Sequence, residues 1–283
     1  MLLERLFVGE TLSGLFPDPS FPFLKTIKDY INEEFSEGDP VFVSSSIPYL
    51  DLASRMEKIR TRIYENLSLK TFLYPLFESS GMDPFDVYVD LFRLRCVPNG
   101  FHNQPGSESV LYIHRDSWYA NPENQINIWI PITLVNPGAG FTLYPSYFQN
   151  PIPNNSHLFD YKHWLETGGF QATTHSRLAE KIFPKPNLKP MDPKQFSVSG
   201  DFGEYFLFSS HHLHGTEENN LGFSRFSMEI RFVLGSVIRN HFGPENTDNR
   251  STGTTLYEMK NLIDGRILPS EVIQNYVNAA VLK

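Results

Sequence analysis

The hydrophobic pattern divides the chain into a helical first part and a strand-rich remainder. Apolar residues at helical spacing predict helices over 24–35 and from residue 52 to 77, after an irregular lead-in over 1–25. From residue 85 the period of the pattern changes to two. This alternation predicts strands over 85–96, 110–116, 125–135, 141–144, 204–209 and 224–234, and the tail predicts one closing helix.

Helices followed by many short strands are typical of an α+β, mainly β protein. We expect a double-stranded β-helix (jelly roll) with supporting N-terminal helices. A single domain over 1–283 would comprise helical support (1–84), a jelly-roll core (85–148 and 201–235) and a C-terminal helix (254–283). Residues 149–200 are rich in Pro, Asn and Lys, and we interpret them as an insertion or lid with short helices near 161–165 and 176–182.

Composition narrows the possible classes of partner. A net charge of -8 argues against nucleic-acid binding but leaves room for a local basic pocket. The single cysteine, Cys96, excludes an internal disulfide and a cysteine metal cage. No apolar run is long enough to span a membrane, and charge interrupts the N-terminus too early for a signal peptide. We therefore expect a cytoplasmic protein that acts on a small molecule.

Two histidines and an aspartate form a candidate metal site. His114 and Asp116 are two residues apart on the predicted strand 110–116, so their side chains leave the same face. His214, which follows strand 204–209, would complete a set of two histidines and one carboxylate, the ligands of many non-haem Fe(II) oxygenases. We prefer His214 because Gly215 allows a tight turn after it, and His211 remains the alternative ligand.

Arginines recur on one face of two predicted strands. On strand 224–234 the polar face consists of Arg225, Ser227, Glu229 and Arg231. On strand 85–96, Arg93 and Arg95 share a face with Val87, Val89 and Leu91. Such faces often belong to the solvent side of an antiparallel strand. If they point inward, however, they predict an anionic ligand, because a guanidinium binds a carboxylate with two hydrogen bonds.

These residues resemble a known enzyme family. His114-Arg115-Asp116, the distant His214 and Arg225 a short interval beyond it resemble the Fe(II)/2-oxoglutarate-dependent dioxygenases, and among them the phytanoyl-CoA dioxygenase-like group. The resemblance covers about residues 88–234. Segments 114–122 and 125–131 are further similar to members acting on sugars, such as Kdo hydroxylases and aminoglycoside-pathway oxygenases. Family members often read Pro-Gly-Ser-His where this chain has 136–147 without a histidine.

The resemblance implies a cofactor set and a role for each matching residue. His114, Asp116 and His214 would bind Fe(II), Arg225 would hold the distal carboxylate of 2-oxoglutarate, and O2 would be the oxidant. Asn127 and Ser227 would contact the cosubstrate. Candidate substrate contacts are Arg95, Trp118, Tyr119 and Arg231, although the two aromatic residues could equally be packing residues. Halogenating members have a small residue at the position of Asp116, so hydroxylation of a small polar or anionic substrate is expected, for example a sugar acid such as Kdo.

Other functions stay open at the level of sequence. The same cofactors could support epimerisation, desaturation or ring closure. A non-enzymatic, cupin-like binding protein would explain the strands but would leave the arginines without a role. A zinc hydrolase is less favoured, because no general base is evident near the three ligands.

Overall fold

The computed structural model describes residues 2–104, 107–166 and 183–281. Within these ranges the helices are α1 Leu2–Phe7, α2 Phe21–Glu34, α3 Pro40–Ser46, α4 Tyr49–Glu65, α5 Ser68–Thr71, α6 Tyr74–Ser79, α7 Glu108–Leu111, α8 Tyr161–Glu166, α9 Gly235–Arg239 and α10 Ser270–Val281. The strands are β1 Leu12–Leu15, β2 Val87–Val89, β3 Arg93–Val97, β4 Ile126–Pro131, β5 Phe141–Leu143, β6 Phe196–Val198, β7 Glu204–Ser209, β8 His214–Thr216, β9 Arg225–Leu234 and β10 Lys260–Asn261. In these ranges, no helix combines the length and the apolar character needed to cross a membrane.

The strands form two antiparallel sheets. In the larger sheet the order is β1-β7-β4-β9-β2-β10, and β3 pairs with the same edge of β9 as β2. In the smaller sheet the order is β6-β5-β8. Side chains of both sheets pack together in one buried cluster, which includes Trp129 and Phe208 from the larger sheet and Phe141, Leu143 and Val198 from the smaller. The protein is thus a mixed structure of helices and two packed antiparallel sheets.

The N-terminal helices cover the outer face of the larger sheet. As predicted, α2 and α4 bury residues at helical spacing, which pack into the main core. The same core receives Phe226, Met228, Ile230 and Phe232 from β9 and the alternate isoleucines of β4. Because side chains alternate along a strand, the polar residues of β9 lie on the opposite, inner face. The predicted alternation in 224–234 is confirmed.

Three predictions about local structure are wrong. Residues 85–96 do not form one strand, because a break at 90–92 separates β2 from β3 and reverses the faces. Val87 and Val89 therefore pack in the helix-covered core, whereas Arg93 and Arg95 alternate with core residue Leu94 and point inward. Residues 110–116 do not form a strand either: they begin in α7. The lead-in is not irregular, because it contains α1 and β1, which pairs with β7.

The segment interpreted as an insertion contributes to the smaller sheet. The predicted helix near 161–165 is confirmed as α8. Near the C-terminal end of segment 149–200, β6 pairs with β5 and places Val198 opposite Phe141. Part of the segment therefore belongs to the smaller sheet. The helix predicted near 176–182 lies outside the described residues.

Candidate metal centre

His114 and His214 face each other across an antiparallel bridge. Each backbone N–H donates to the carbonyl of the other residue, at 2.8 and 2.9 Å. The centroids of the two imidazole rings are 4.5 Å apart. His214 opens β8, so His114 extends the smaller sheet by one paired residue. Directly paired residues project their side chains to the same side, and this brings the two rings together.

Asp116 completes the group from the start of a 3-10 turn. Its N–H donates to the carbonyl of Ser210 at 3.0 Å, and its own carbonyl accepts from Asn121 Nδ2 at 2.8 Å. Its Oδ1 lies 3.5 Å from His114 Nε2. The ligand atoms of His114, Asp116 and His214 all lie within 4.8 Å of one another. Among the described residues, these three side chains are the one set of His, Cys, Asp or Glu that lies close enough together to hold a metal ion.

Both histidines use Nδ1 for a contact with a backbone carbonyl, which leaves Nε2 for the metal group. His114 Nδ1 lies 3.1 Å from the carbonyl of Tyr112, and His214 Nδ1 lies 3.0 Å from the carbonyl of His212. A carbonyl only accepts, so each Nδ1 must carry a proton, and in the neutral ring this leaves the lone pair on Nε2. Backbone acceptors of this kind orient histidine ligands in metal sites. The two rings are therefore held in the form that binds a metal.

The carboxylate of Asp116 is ionised and buried. Burial acts to raise the pKa of Asp116, but the adjacent Arg231 guanidinium, with the two histidines, lowers that pKa well below its ordinary value. Its Oδ2 accepts a hydrogen bond from Asn127 Nδ2, and Asn127 Oδ1 accepts from Gln125 Nε2 at 2.9 Å. Asn127, which was predicted as a cosubstrate contact, therefore contacts the carboxylate of Asp116.

The other carboxylate oxygen of Asp116, Oδ1, accepts no hydrogen bond from the described residues. Arg231 Nη2 lies 2.9 Å from Asp116 Oδ1, but not at a hydrogen-bonding angle. Among the described residues Oδ1 is accordingly a buried acceptor without a hydrogen bond. An unsatisfied buried acceptor is costly unless something else binds it. A cation bound between Oδ1 and the two Nε2 atoms would remove that cost.

Desolvation keeps His214 neutral. Burial, followed by the influence of neighbouring His114, lowers the pKa of His214 to about 4. A histidine must be deprotonated before it can bind a metal. Its environment therefore favours the ligand form at neutral pH.

Arg225 is a buried cation with no acidic partner among the described residues. It is 2% exposed, and its Nη1 donates to Ser227 Oγ at 2.7 Å. Its Nε has no hydrogen-bond partner in the part of the chain that the structure describes. Burial, together with nearby Arg95, lowers the pKa of Arg225 to about 10. A guanidinium in this position is set up for an external anion.

The four candidate substrate contacts have different surroundings. Arg231 pairs with Asp116 and donates from Nε to Glu229 Oε1 at 2.5 Å, so the protein itself engages it. Arg95 Nη2 lies 3.8 Å from Glu229 Oε2, and its side chain is 32% exposed. Tyr119 lies beside His114, with 5.4 Å between the rings. Trp118 is fully buried, and its Nε1 donates to Asp248 Oδ1 at 2.7 Å. These surroundings favour a structural role for Trp118 over a substrate contact.

His211, the alternative ligand, lies outside the metal group. Its Nδ1 is 2.7 Å from Glu123 Oε2, and its Nε2 is 2.8 Å from Thr247 Oγ1. Both ring nitrogens are therefore occupied by other partners.

Sequence reasoning missed two residues behind the site. Arg115 and Asp248 form a buried ion pair, with 3.0 Å between Nε and Oδ1. The only available signal was an arginine placed between two candidate ligands.

Comparisons with known proteins give distant structural likenesses. No family model and no curated protein matches the chain. A structure titled as the non-haem monooxygenase ThoJ, in its apo form, is 13% identical, with 100% of this chain and 99% of that chain covered and a TM-score of 0.43. EvdO2 from Micromonospora carbonacea var. aurantiaca is 11% identical, with 82% and 89% covered and a TM-score of 0.48. The α-ketoglutarate-dependent epimerase SnoN from nogalamycin biosynthesis is 12% identical, with 83% and 84% covered and a TM-score of 0.42. At these values the assignment of function depends on the residues of the site.

Proposed function

We propose that the protein is an Fe(II)- and 2-oxoglutarate-dependent oxygenase built on a double-stranded β-helix. The observation that carries the proposal is that one face of β9 bears both Arg225, which has no acidic partner among the described residues, and Arg231, which contacts Asp116 of the metal group. Arg225, Ser227, Glu229 and Arg231 share the inner face of β9, and Arg231 contacts Asp116. This arrangement supports a metal site and an anion site on the same inner surface.

The donor set fits Fe(II). Two imidazole Nε2 atoms and one carboxylate oxygen are the ligands of the facial triad, which leaves coordination positions open. His114, Asp116 and His214 would hold the iron. When bound, the iron supplies the oxidising chemistry, using O2 and converting 2-oxoglutarate to succinate and CO2. The protein residues orient the ligands and exclude water.

The anion site fits the distal carboxylate of 2-oxoglutarate. Arg225 offers an Nε–H without a partner among the described residues, in a fixed planar fork, and Ser227 adds a hydroxyl on the same face. A dicarboxylate bound there would compensate the buried positive charge of Arg225. A neutral cosubstrate would leave that charge uncompensated.

The remaining charges favour an anionic substrate. Four arginines line or adjoin the inner face (Arg93, Arg95, Arg225 and Arg231), and Arg93 and Arg231 are closely paired with the acids Asp90, Asp116 and Glu229. Arg95 is farther from its acid, at 3.8 Å from Glu229 Oε2. Arg95, partly exposed and 3.8 Å from Glu229, is the residue we assign to the substrate anion, with Tyr119 as part of the wall of the substrate pocket. Sugar acids such as Kdo combine the charge and the hydroxyl groups expected.

The test of this function is the anaerobic addition of Fe(II) and 2-oxoglutarate. A visible charge-transfer band is expected for the wild type and not for Asp116→Ala. Succinate release is then screened against matched pairs of acidic and neutral sugars. The product mass reports the outcome: hydroxylation adds one oxygen, epimerisation changes nothing, and desaturation or ring closure removes two hydrogens. Absence of both the band and succinate would favour a non-enzymatic binding protein instead.

A further inference from the structure

Arg115 projects from the back of the metal-ligand segment into the protein interior. It lies between the ligands His114 and Asp116, and its side chain is fully buried. A fully buried arginine requires both a counter-charge and acceptors for its N–H groups. Its partners therefore show what holds the ligand segment from behind.

The guanidinium of Arg115 joins three backbone segments. Nη1 donates to the carbonyl of His211, which precedes the ligand His214 by three residues. Nη2 donates to the carbonyls of Tyr147 at 2.6 Å and Asn150 at 3.1 Å. One side chain thus connects the segment carrying His114 and Asp116 to the turn that carries His214.

Asp248 supplies the counter-charge and anchors the arrangement. Its carboxylate accepts from Arg115 Nε at 3.0 Å and Nη2 at 3.2 Å, from Trp118 Nε1 at 2.7 Å, and from the N–H of Ile152 at 3.0 Å. The Asp248 side chain is 6% exposed. Arg115, between the two ligands, and Trp118, two residues after Asp116, are therefore fixed by one carboxylate from a distant part of the chain.

We propose that Asp248 is a positioning residue for the metal centre, acting through Arg115. The pair holds the segments that carry His114, Asp116 and His214 at the spacing that metal binding requires. This inference rests on the metal centre proposed above. It assigns no catalytic role to Asp248, which touches none of the three ligand side chains in the described contacts.

The test is Co(II) binding by Asp248→Asn, measured by visible absorption against a competing chelator at a temperature where circular dichroism shows a folded protein. We expect affinity to fall by about tenfold, as when groups that orient metal ligands are removed. Asp248→Glu, which keeps the charge, should recover part of that loss. The matched control is Asp86→Asn, because Asp86 also joins distant segments, through Ser236 and Arg239 of α9, away from the ligand segments.

Each result has a defined meaning. Equal Co(II) affinity and spectrum in wild type and Asp248→Asn would overturn the positioning role while leaving the metal centre intact. An equal loss in Asp86→Asn would also overturn it, because loss of any carboxylate that joins distant segments would then suffice. If Asp248→Asn does not fold, the double variant Arg115→Gln/Asp248→Asn, which leaves no buried charge, takes its place with the same expectation. If the wild type binds no Co(II), the metal centre itself fails and the positioning role with it.

Discussion

Arg231 Nη2 lies 2.9 Å from Asp116 Oδ1, so the proposed metal carboxylate already has a cationic neighbour before any metal binds. Arg231 also donates to Glu229, and burial of both acids makes it their shared counter-charge. The pairing keeps Asp116 ionised inside the protein. It also means that a metal would bind Asp116 beside an existing positive charge.

Replacing Arg231 by Gln should strongly destabilise the metal-free protein. Two buried acids would lose their counter-charge, and breaking a buried ion pair costs about 3–5 kcal/mol. Added Co(II) should restore part of the loss, since the metal supplies positive charge to Asp116. Denaturant unfolding with and without Co(II) measures both effects. The control is Arg62→Gln, whose partner Glu33 is exposed, and a change of at most about 1 kcal/mol is expected. A loss no larger than that of the control would contradict the shared role of Arg231.

The choice between His214 and His211 as metal ligand has a direct test. His214→Ala, like His114→Ala and Asp116→Ala, should abolish metal binding and turnover. His211→Ala removes contacts to Glu123 and Thr247, so it should lower the free energy of unfolding but spare metal affinity. Isothermal titration with Co(II) separates the two effects. Retained binding in His214→Ala together with lost binding in His211→Ala would reverse the assignment.

The residues that share the polar face of β9 could be predicted because alternation is a local signal, whereas the direction of that face stayed open. Alternation fixed Arg225 and Arg231 on the face opposite Phe226. The same rule failed over 85–96, because the strand is broken at 90–92 and the two halves turn opposite faces to the core. Periodicity shows which residues share a face only while the strand continues.

The ligand group was predicted for a partly wrong reason. His114 and Asp116 do meet, but through one bridge and a 3-10 turn, not through a strand. The role of Asp248 could not be predicted, because nothing in the polar sequence around it indicates an ion pair with Arg115. Contacts between such distant residues depend on the assembled fold.

Glu229 predicts an acid-sensitive step in stability. Burial opposes its ionisation, but Arg231 and then Arg95 lower the pKa of Glu229 below its ordinary value. A lowered acid pKa contributes stability that is present above the unfolded-state value and is lost as pH falls towards the folded-state value. Glu229→Gln should therefore flatten the dependence of the unfolding free energy between about pH 5 and pH 3, by up to about 1.4 kcal/mol per pH unit. Urea unfolding of both proteins over this range provides the comparison, and identical slopes would exclude the coupling.

Arg225 provides the test that separates the cosubstrate from the metal. Arg225→Ala removes a buried cation whose Nε has no partner in the described residues, and with it the proposed grip on the distal carboxylate. Charge-assisted hydrogen bonds contribute about 1.5–3 kcal/mol, so the 2-oxoglutarate requirement should rise by about 10- to 100-fold. Co(II) affinity should stay close to wild type, because Arg225 contacts Ser227 and none of the metal ligands in the described contacts.

Ser227→Ala, which leaves the guanidinium of Arg225 in place, should raise the 2-oxoglutarate requirement by less. Titration of the charge-transfer band with 2-oxoglutarate at saturating Fe(II) measures the change. A large loss of metal affinity with an unchanged 2-oxoglutarate requirement would assign Arg225 to the metal centre's structure and remove its role as the anion anchor.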